Sequence, residues 1–143
     1  MPKKLKIFLD SSALISGLNS SNGGSGIIIS AFLANKISAI ISVQVIDEVQ
    51  KNINEKFPLL QGSFLGFLVS QPIIASQPTL KEITRAYEII KTNDAPILAA
   101  AVKAKPDFLI TLDTKHFFKK EVMESVPFTI CSPKDFLQKH WNL

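Results

Sequence analysis

At 143 residues, 46% of them hydrophobic and 20% charged, the chain has the length and composition of an ordinary globular domain, long enough to bury a real core. With no repeated or low-complexity stretch, this composition excludes a disordered chain, a solenoid and a fibrous protein. The single cysteine, Cys131, excludes an internal disulfide framework, and the formal net charge of +4 leans toward a polyanionic partner without demanding one.

Strand-like and helix-like patterns alternate from the start. Leu5 to Leu9 is a short β-prone run that ends abruptly on Asp10, and "SALISGL" then begins a helical segment that breaks at the loop "NSSNGGSG". The lysines before this run precede an apolar stretch too short for a secretion signal and interrupted by Asp10, so a cytoplasmic location is expected. A helix from about Ile27 to Asn35 follows, then a second buried strand, "SAIIS", from Ser38 to Ser42. The next helix carries Ile46, Val49, Ile53 and Phe57 at helical spacing and is stopped by Pro58.

Leu59 to Ser70 has apolar residues around most of a helical wheel, including Leu60, Phe64, Leu65, Phe67 and Leu68. A helix of that kind is either deeply buried or half of an interface, which points to a homodimer. It lies in the longest uncharged stretch, Phe57 to Leu80, but Pro58, Pro72 and Pro78 leave no apolar helix long enough for a bilayer, and no membrane span is expected.

"PIIAS" reads as a third strand, and Leu80 to Lys91 as an amphipathic helix using Leu80, Ile83, Ala86, Tyr87 and Ile90. "DAPILAAAVKA" is an alanine-rich helix suited to close packing. "DFLITL" is a fourth strand, "TKHFFKK" a short helix, "FTI" a last strand in whose run Cys131 reads as a small buried hydrophobe, and "PKDFLQKHW" a terminal helix. Strands separated by helices in this order give an α/β fold, a three-layer α/β/α sandwich with a mainly parallel central sheet.

In such a sheet ligands bind outside the carboxyl ends of the strands. Asp10 directly follows the first strand and Asp113 the fourth, so both are expected at that edge. Glu48 lies early in the helix leaving the second strand. Asp94 opens the helix that runs back to the fourth strand, which brings its N-terminus to the same edge. Each acid has a plain structural alternative: Asp94 and Asp113 as helix caps, Glu48 as a solvated helix residue like Glu55. Four carboxylates at one rim repel one another unless a cation neutralises them, and oxygen-only donors suit Mg²⁺ or Mn²⁺. His116 and His140 read as a surface helix residue and a tail residue rather than as metal ligands.

Taken together, "FLDSSALISGL" with Asp10 and Ser12, "VIDEVQKN" with Glu48 and Asn52, "NDAPILAAAV" with Asp94 and "LITLDTKHF" with Thr111, Asp113 and Phe117 resemble the motifs of PIN-domain ribonucleases, in particular the VapC-like toxins of toxin–antitoxin pairs. One departure is visible: many relatives carry an acid three residues after the position of Asp113, where this chain has His116. The resemblance implies a single PIN-like nuclease domain over residues 1–143, divalent-metal-dependent hydrolysis of RNA, homodimers and inhibition by a small antitoxin. On that reading Asp10, Glu48, Asp94 and Asp113 hold Mg²⁺ or Mn²⁺ and carry catalysis, with Ser12, Thr111 and Asn52 orienting them. Lys103, Lys105, Lys115, Lys119 and Lys120 are either contacts to RNA phosphates or a solvated face. Two other readings stand beside it: a PIN module that binds RNA or protein without turnover, and a small-molecule Mg²⁺-dependent phosphohydrolase.

Overall fold

The computed structural model describes residues 3–141. Along the chain run β1 (Lys6–Leu9), α1 (Ser11–Asn19), α2 (Gly24–Leu33), β2 (Ser38–Ile41) and α3 (Val43–Lys56). After a 3-10 turn (Pro58–Leu60) come α4 (Gln61–Val69), β3 (Ile73–Ile74), α5 (Leu80–Ile90), α6 (Ala95–Ala104) and β4 (Phe108–Ile110). α7 (Lys120–Glu124), β5 (Thr129–Cys131) and a last turn, α8 (Pro133–Asp135), follow, the last running on as a π-helical turn over Phe136–His140. The five strands form one parallel sheet in the order β3-β2-β1-β4-β5.

The strands are apolar without alternation because both faces of the sheet are covered. Ile7, Phe8 and Leu9 of β1 and Ala39, Ile40 and Ile41 of β2 are all buried, whereas Ile73 and Ile74 of the edge strand β3 are about half exposed. The steps from β1 to β2 and β2 to β3 go one way along the sheet, and those from β3 to β4 and β4 to β5 go the other. Right-handed crossovers therefore place α1–α4 on one face and α5–α7 on the opposite face. The packing agrees: α1 lies on α2 and α3, and α5 on α6 and α7. This is the expected three-layer sandwich, with strand order reversing between β1 and β4, the place beyond whose carboxyl ends such sheets bind ligands. No helix among the described residues is long and apolar enough to cross a membrane.

Local chemistry sets the helix ends. The Ser42 hydroxyl accepts from the backbone N–H of Val45 at 3.2 Å to start α3, and Thr79 with Glu82 makes a reciprocal capping box at the start of α5. Cys131 is buried, and burial with the nearby Asp135 carboxylate pushes its thiol up to about 12, leaving it an unreactive space-filler.

Four expectations need correction. α2 begins at Gly24 rather than Ile27, so the loop shrinks to Ser20–Gly23. The glycines permit this by bringing α2 hard against α1: a Cβ on Gly26 would lie 2.2 Å from the Ser20 carbonyl oxygen, and one on Gly17 2.4 Å from Ile29 Cδ1. Gly26→Ala is therefore expected to lower stability by about 1–3 kcal/mol through overpacking. Gly66→Ala in α4, where a Cβ meets nothing within 4 Å, is expected to raise it by about 0.5–1 kcal/mol. Thermal melts of the two variants decide both.

In α4, Phe64 and Phe67 point into the core, with Phe67 against Phe32 at a ring-centroid distance of 5.2 Å. Leu65 and Val69, with Leu59 just before them, face outward. Any apolar contact made by this segment thus uses Leu59, Leu65 and Val69, and changing the two phenylalanines would disrupt the core instead. In α5, Ala86 and Ile90 are buried, while Leu80 and Tyr87 are exposed. Finally, "TKHFFKK" is a turn rather than a helix. Its single turn closes on Asp113, whose carbonyl accepts from Phe117 N–H at 3.3 Å, and Phe117 is then drawn completely into the core.

Candidate active site

The carboxyl ends of β1 and β4 deliver the site. Asp10 caps α1 and is only 5% exposed, and Thr111, at the matching place after β4, is fully buried. The Asp10 backbone N–H extends the sheet by donating to Ile110 O at 3.1 Å. Three donors then hold the carboxylate: the Thr111 hydroxyl at 2.7 Å, the Ser11 backbone N–H at 2.8 Å and the Ser12 hydroxyl at 3.3 Å. Thr111 also accepts from the Asp113 N–H at 3.0 Å, and Ser12 from the Leu112 N–H at 3.1 Å. These two hydroxyls lock the end of β1 to the segment that carries Asp113.

Glu48 reaches the same rim from α3 through Ser11, whose hydroxyl donates to Glu48 Oε1 at 2.9 Å. Ser11 is a site residue that the sequence does not single out, its one signal being that it stands directly beside Asp10. Asn52 makes no hydrogen bond to an acid side chain among the described residues: its amide donates to the backbone carbonyl of Glu48 at 2.8 Å.

Asp94 precedes α6 but makes no side-chain cap. Its carboxylate accepts from the Thr92 hydroxyl at 3.3 Å and faces His116, whose Nδ1 lies 4.0 Å from Asp94 Oδ2 and 2.9 Å from Asp113 Oδ2. The capping explanation therefore falls for Asp94. For Asp113 it holds in part, since Oδ1 accepts the His116 N–H at 3.1 Å while Oδ2 is turned to the site. The reading of His116 as a surface helix residue is also overturned: it sits in a turn with its ring on two acids. Its offset of three from Asp113, in the place of an acid, is the signal in the sequence.

Burial, opposed by the Thr111 and Ser11 hydrogen bonds and reinforced by Asp94 and Glu48, raises the Asp10 carboxyl to about 6. Glu48 is raised by burial and by Asp94, and Asp94 by burial and by Asp113. Among the described residues no Lys or Arg nitrogen lies within 4.0 Å of any of the four acids. One oxygen each from Asp94 and Asp113 and one ring nitrogen of His116 lie within 4.8 Å of one another. Donor atoms bound at about 2.1 Å to one ion stand about 3 Å apart at right angles and about 4 Å apart across it. The donor set therefore fits a divalent cation, with Asp10 and Glu48 adjoining it. The side chains of Asp94, Asp113 and His116 are 25%, 26% and 32% exposed, so the site opens to solvent.

A family model described as PIN domain matches residues 6–115. The chain belongs to the PIN-domain family. Its fold is similar to that of VapBC2 from Rickettsia felis bound to a DNA fragment from their promoter, with a TM-score of 0.61 at 17% identity over 90% of this chain and 98% of that one. It is also similar to PAE2754 from Pyrobaculum aerophilum, with a TM-score of 0.65 at 15% identity over 93% and 87% of the two chains. No curated protein sequence matches significantly. PIN domains are generally nucleases that act on phosphodiester bonds with divalent metal, and this PIN chain brings Asp94, Asp113 and His116 together as a possible metal site.

The lysines divide. Lys103, at the far end of α6 from Asp94, is taken up by Glu82 at 3.1 Å and the Gln77 carbonyl at 3.0 Å. Lys105 follows it as the cap of α6. Lys119 and Lys120 line a concavity between the end of α5 and α7, together with Lys91, which nothing in the sequence groups with them. Lys120 has an exposed partner, Glu124, at 3.8 Å, a pairing worth little. Lys115 lies in the Asp113 turn, with no carboxylate within 4.0 Å among the described residues.

Proposed function

We propose that this PIN domain is a divalent-metal-dependent endoribonuclease that hydrolyses RNA phosphodiester bonds in the cytoplasm, and that it is the toxin of a toxin–antitoxin pair. The observation that carries the nuclease reading is the convergence of Asp94, Asp113 and His116 beside Asp10 and Glu48, with no Lys or Arg among the described residues to neutralise them. The four acids hold Mg²⁺ or Mn²⁺, directly or through water, and Ser12 and Thr111 fix the Asp10 carboxylate by hydrogen bonds. When bound, the cation acidifies water at the site and stabilises charge developing on the phosphate. The chain's own part is to hold the acids in register, Asp10 and Asp113 from the ends of β1 and β4, Glu48 from α3 through Ser11 and Asp94 from the start of α6, and to leave one side open for the RNA strand.

The toxin assignment is supported by fold likeness to a chain of VapBC2, an analogy that brings with it a small antitoxin and a second copy of the chain as partners. The outward-facing Leu59, Leu65 and Val69 are the surface we assign to the second copy; a monomer at micromolar concentration in sedimentation would remove that assignment.

Incubation of the purified protein with single-stranded RNA, with and without EDTA, tests the function. Cleavage that EDTA abolishes is expected; RNA binding without cleavage would favour a module that has lost turnover, and hydrolysis only of a phosphate monoester the small-molecule phosphohydrolase. RNA affinity is expected to fall with salt. Replacing Lys115, Lys119 and Lys120 by Gln should flatten the slope of log affinity against log salt by about 0.7 for each RNA phosphate that is no longer neutralised. An unchanged slope would make these lysines a solvated face.

A further inference from the structure

We propose that His116 is itself a metal ligand, and that its imidazole turns the preference of the site from Mg²⁺ to a first-row transition cation. This rests on the metal-dependent reading above and concerns the one position where the chain departs from an all-acid set. A histidine serving only the surface would turn its ring to water. Here Nδ1 faces inward, hydrogen-bonded to Asp113 Oδ2 at 2.9 Å and 4.0 Å from Asp94 Oδ2, and once a cation takes the place of the shared proton these separations suit three donors around one ion.

The ring is also held in that direction. Asp113 Oδ1 accepts the His116 backbone N–H at 3.1 Å, and the next residue, Phe117, is fully buried, so the turn is pinned on both sides of the imidazole. As a ligand, Nδ1 presents its lone pair and the ring proton sits on Nε2. Mg²⁺ takes oxygen donors and parts reluctantly with its waters. An imidazole nitrogen favours the transition cations, in the order that rises from Mn²⁺ toward Cu²⁺. Replacing one oxygen ligand by Nδ1 therefore strengthens binding of Mn²⁺ and the ions beyond it relative to Mg²⁺.

The test uses the full chain, stripped of metal and loaded with Mn²⁺ alone. Electron spin-echo modulation is expected to show an imidazole nitrogen coupled to the bound ion in the parent, and to lose it in His116→Asp, which still binds Mn²⁺. The sequence holds two histidines, and the other, His140, packs on Phe108 at the opposite end of β4, with ring centroids 4.9 Å apart, so the signal is assignable. In competition between the two ions, His116→Asp should lower the ratio of Mn²⁺ to Mg²⁺ affinity by about tenfold or more, a scale reached even by groups that only orient ligands. Mn²⁺ bound to the parent without nitrogen coupling, or an unchanged ratio in the variant, overturns the ligand role and leaves metal dependence standing. Failure of the parent to bind either ion sinks both. Should His116→Asp not fold, the parent spectrum alone decides.

Discussion

Replacing Asp10 by Asn is expected to lower RNA cleavage by about a thousandfold or more while leaving the metal-free protein at neutral pH at least as stable as the parent. The first half follows from position. Asp10 is buried at the junction of β1 and β4 and is one of the charges we assign to the cation. Loss of several kcal/mol of charge stabilisation in the transition state costs about a factor of ten for every 1.36 kcal/mol. The second half follows from its hydrogen bonds. An Asn amide can keep an acceptor oxygen for the Ser11 N–H and donate from its NH₂ to the Thr111 and Ser12 hydroxyls, which turn from donors to acceptors, so the shape survives while a repelled, desolvated charge is removed. Cleavage assays beside thermal melts separate the two effects. An Asn variant that retains metal-dependent cleavage would make Asp10 a structural cap and nothing more.

Divalent cation is expected to raise the melting temperature far more at pH 7.5 than at pH 5. The folded Asp10 carboxyl titrates near 6 against an ordinary 3.8. Between those values the folded protein holds a proton that the unfolded chain has released, and this contributes stability. The contribution is complete below 3.8 and is lost as pH rises through about 6, a change of about 3 kcal/mol. Glu48 and Asp94, also raised, act in the same direction. Without metal, stability therefore falls as pH rises from 4 to 7. A cation needs the ionised acids, so it competes with protons at pH 5 and meets little competition at pH 7.5. At a hundred times its dissociation constant it adds about 2.7 kcal/mol, or roughly 5–10 °C for a chain of this length. Melts on a pH and metal grid read this directly; equal shifts at both pH values would place the cation away from these acids.

The parallel sheet and the rim of acids are legible in the sequence because both rest on chain order. Apolar runs separated by helices force crossover connections, and Asp10 directly follows β1 while Asp113 lies three residues past the end of β4, so no side-chain detail is needed to bring them to one edge. What the sequence hides depends on which way a side chain turns. The wheel of α4 has no dominant face, so it cannot say that Phe64 and Phe67 go inside while Leu65 and Val69 stay out; packing against Phe32 on a neighbouring helix decides. His116 is hidden for a similar reason. A helix over "TKHFFKK" would point it outward, but the Asp113 turn and the anchoring of Phe117 turn it inward. The α2 start escapes the sequence because Gly24 and Gly26 disfavour a helix by propensity, and only tertiary closeness explains them: Gly24 lies against Pro133 and Gly26 against the Ser20–Ser21 backbone.

β1 is the middle strand of the sheet, yet one of its two neighbours is made last but one: Asp10 and Thr111 are 101 residues apart. At about 5–20 residues per second of synthesis, the buried carboxylate waits about 5–20 s for the hydroxyl that orients it. Once β2 is made the nascent β1 has one neighbour but an open second edge until β4 follows, and of the acids Asp113 is the last to arrive. The rim of acids is therefore complete only once the fourth strand has docked. On the proposed reading of the chain as an RNA-cleaving toxin, this delay separates the ribosome producing it from its own activity, and it gives the proposed antitoxin several seconds in which to meet it first.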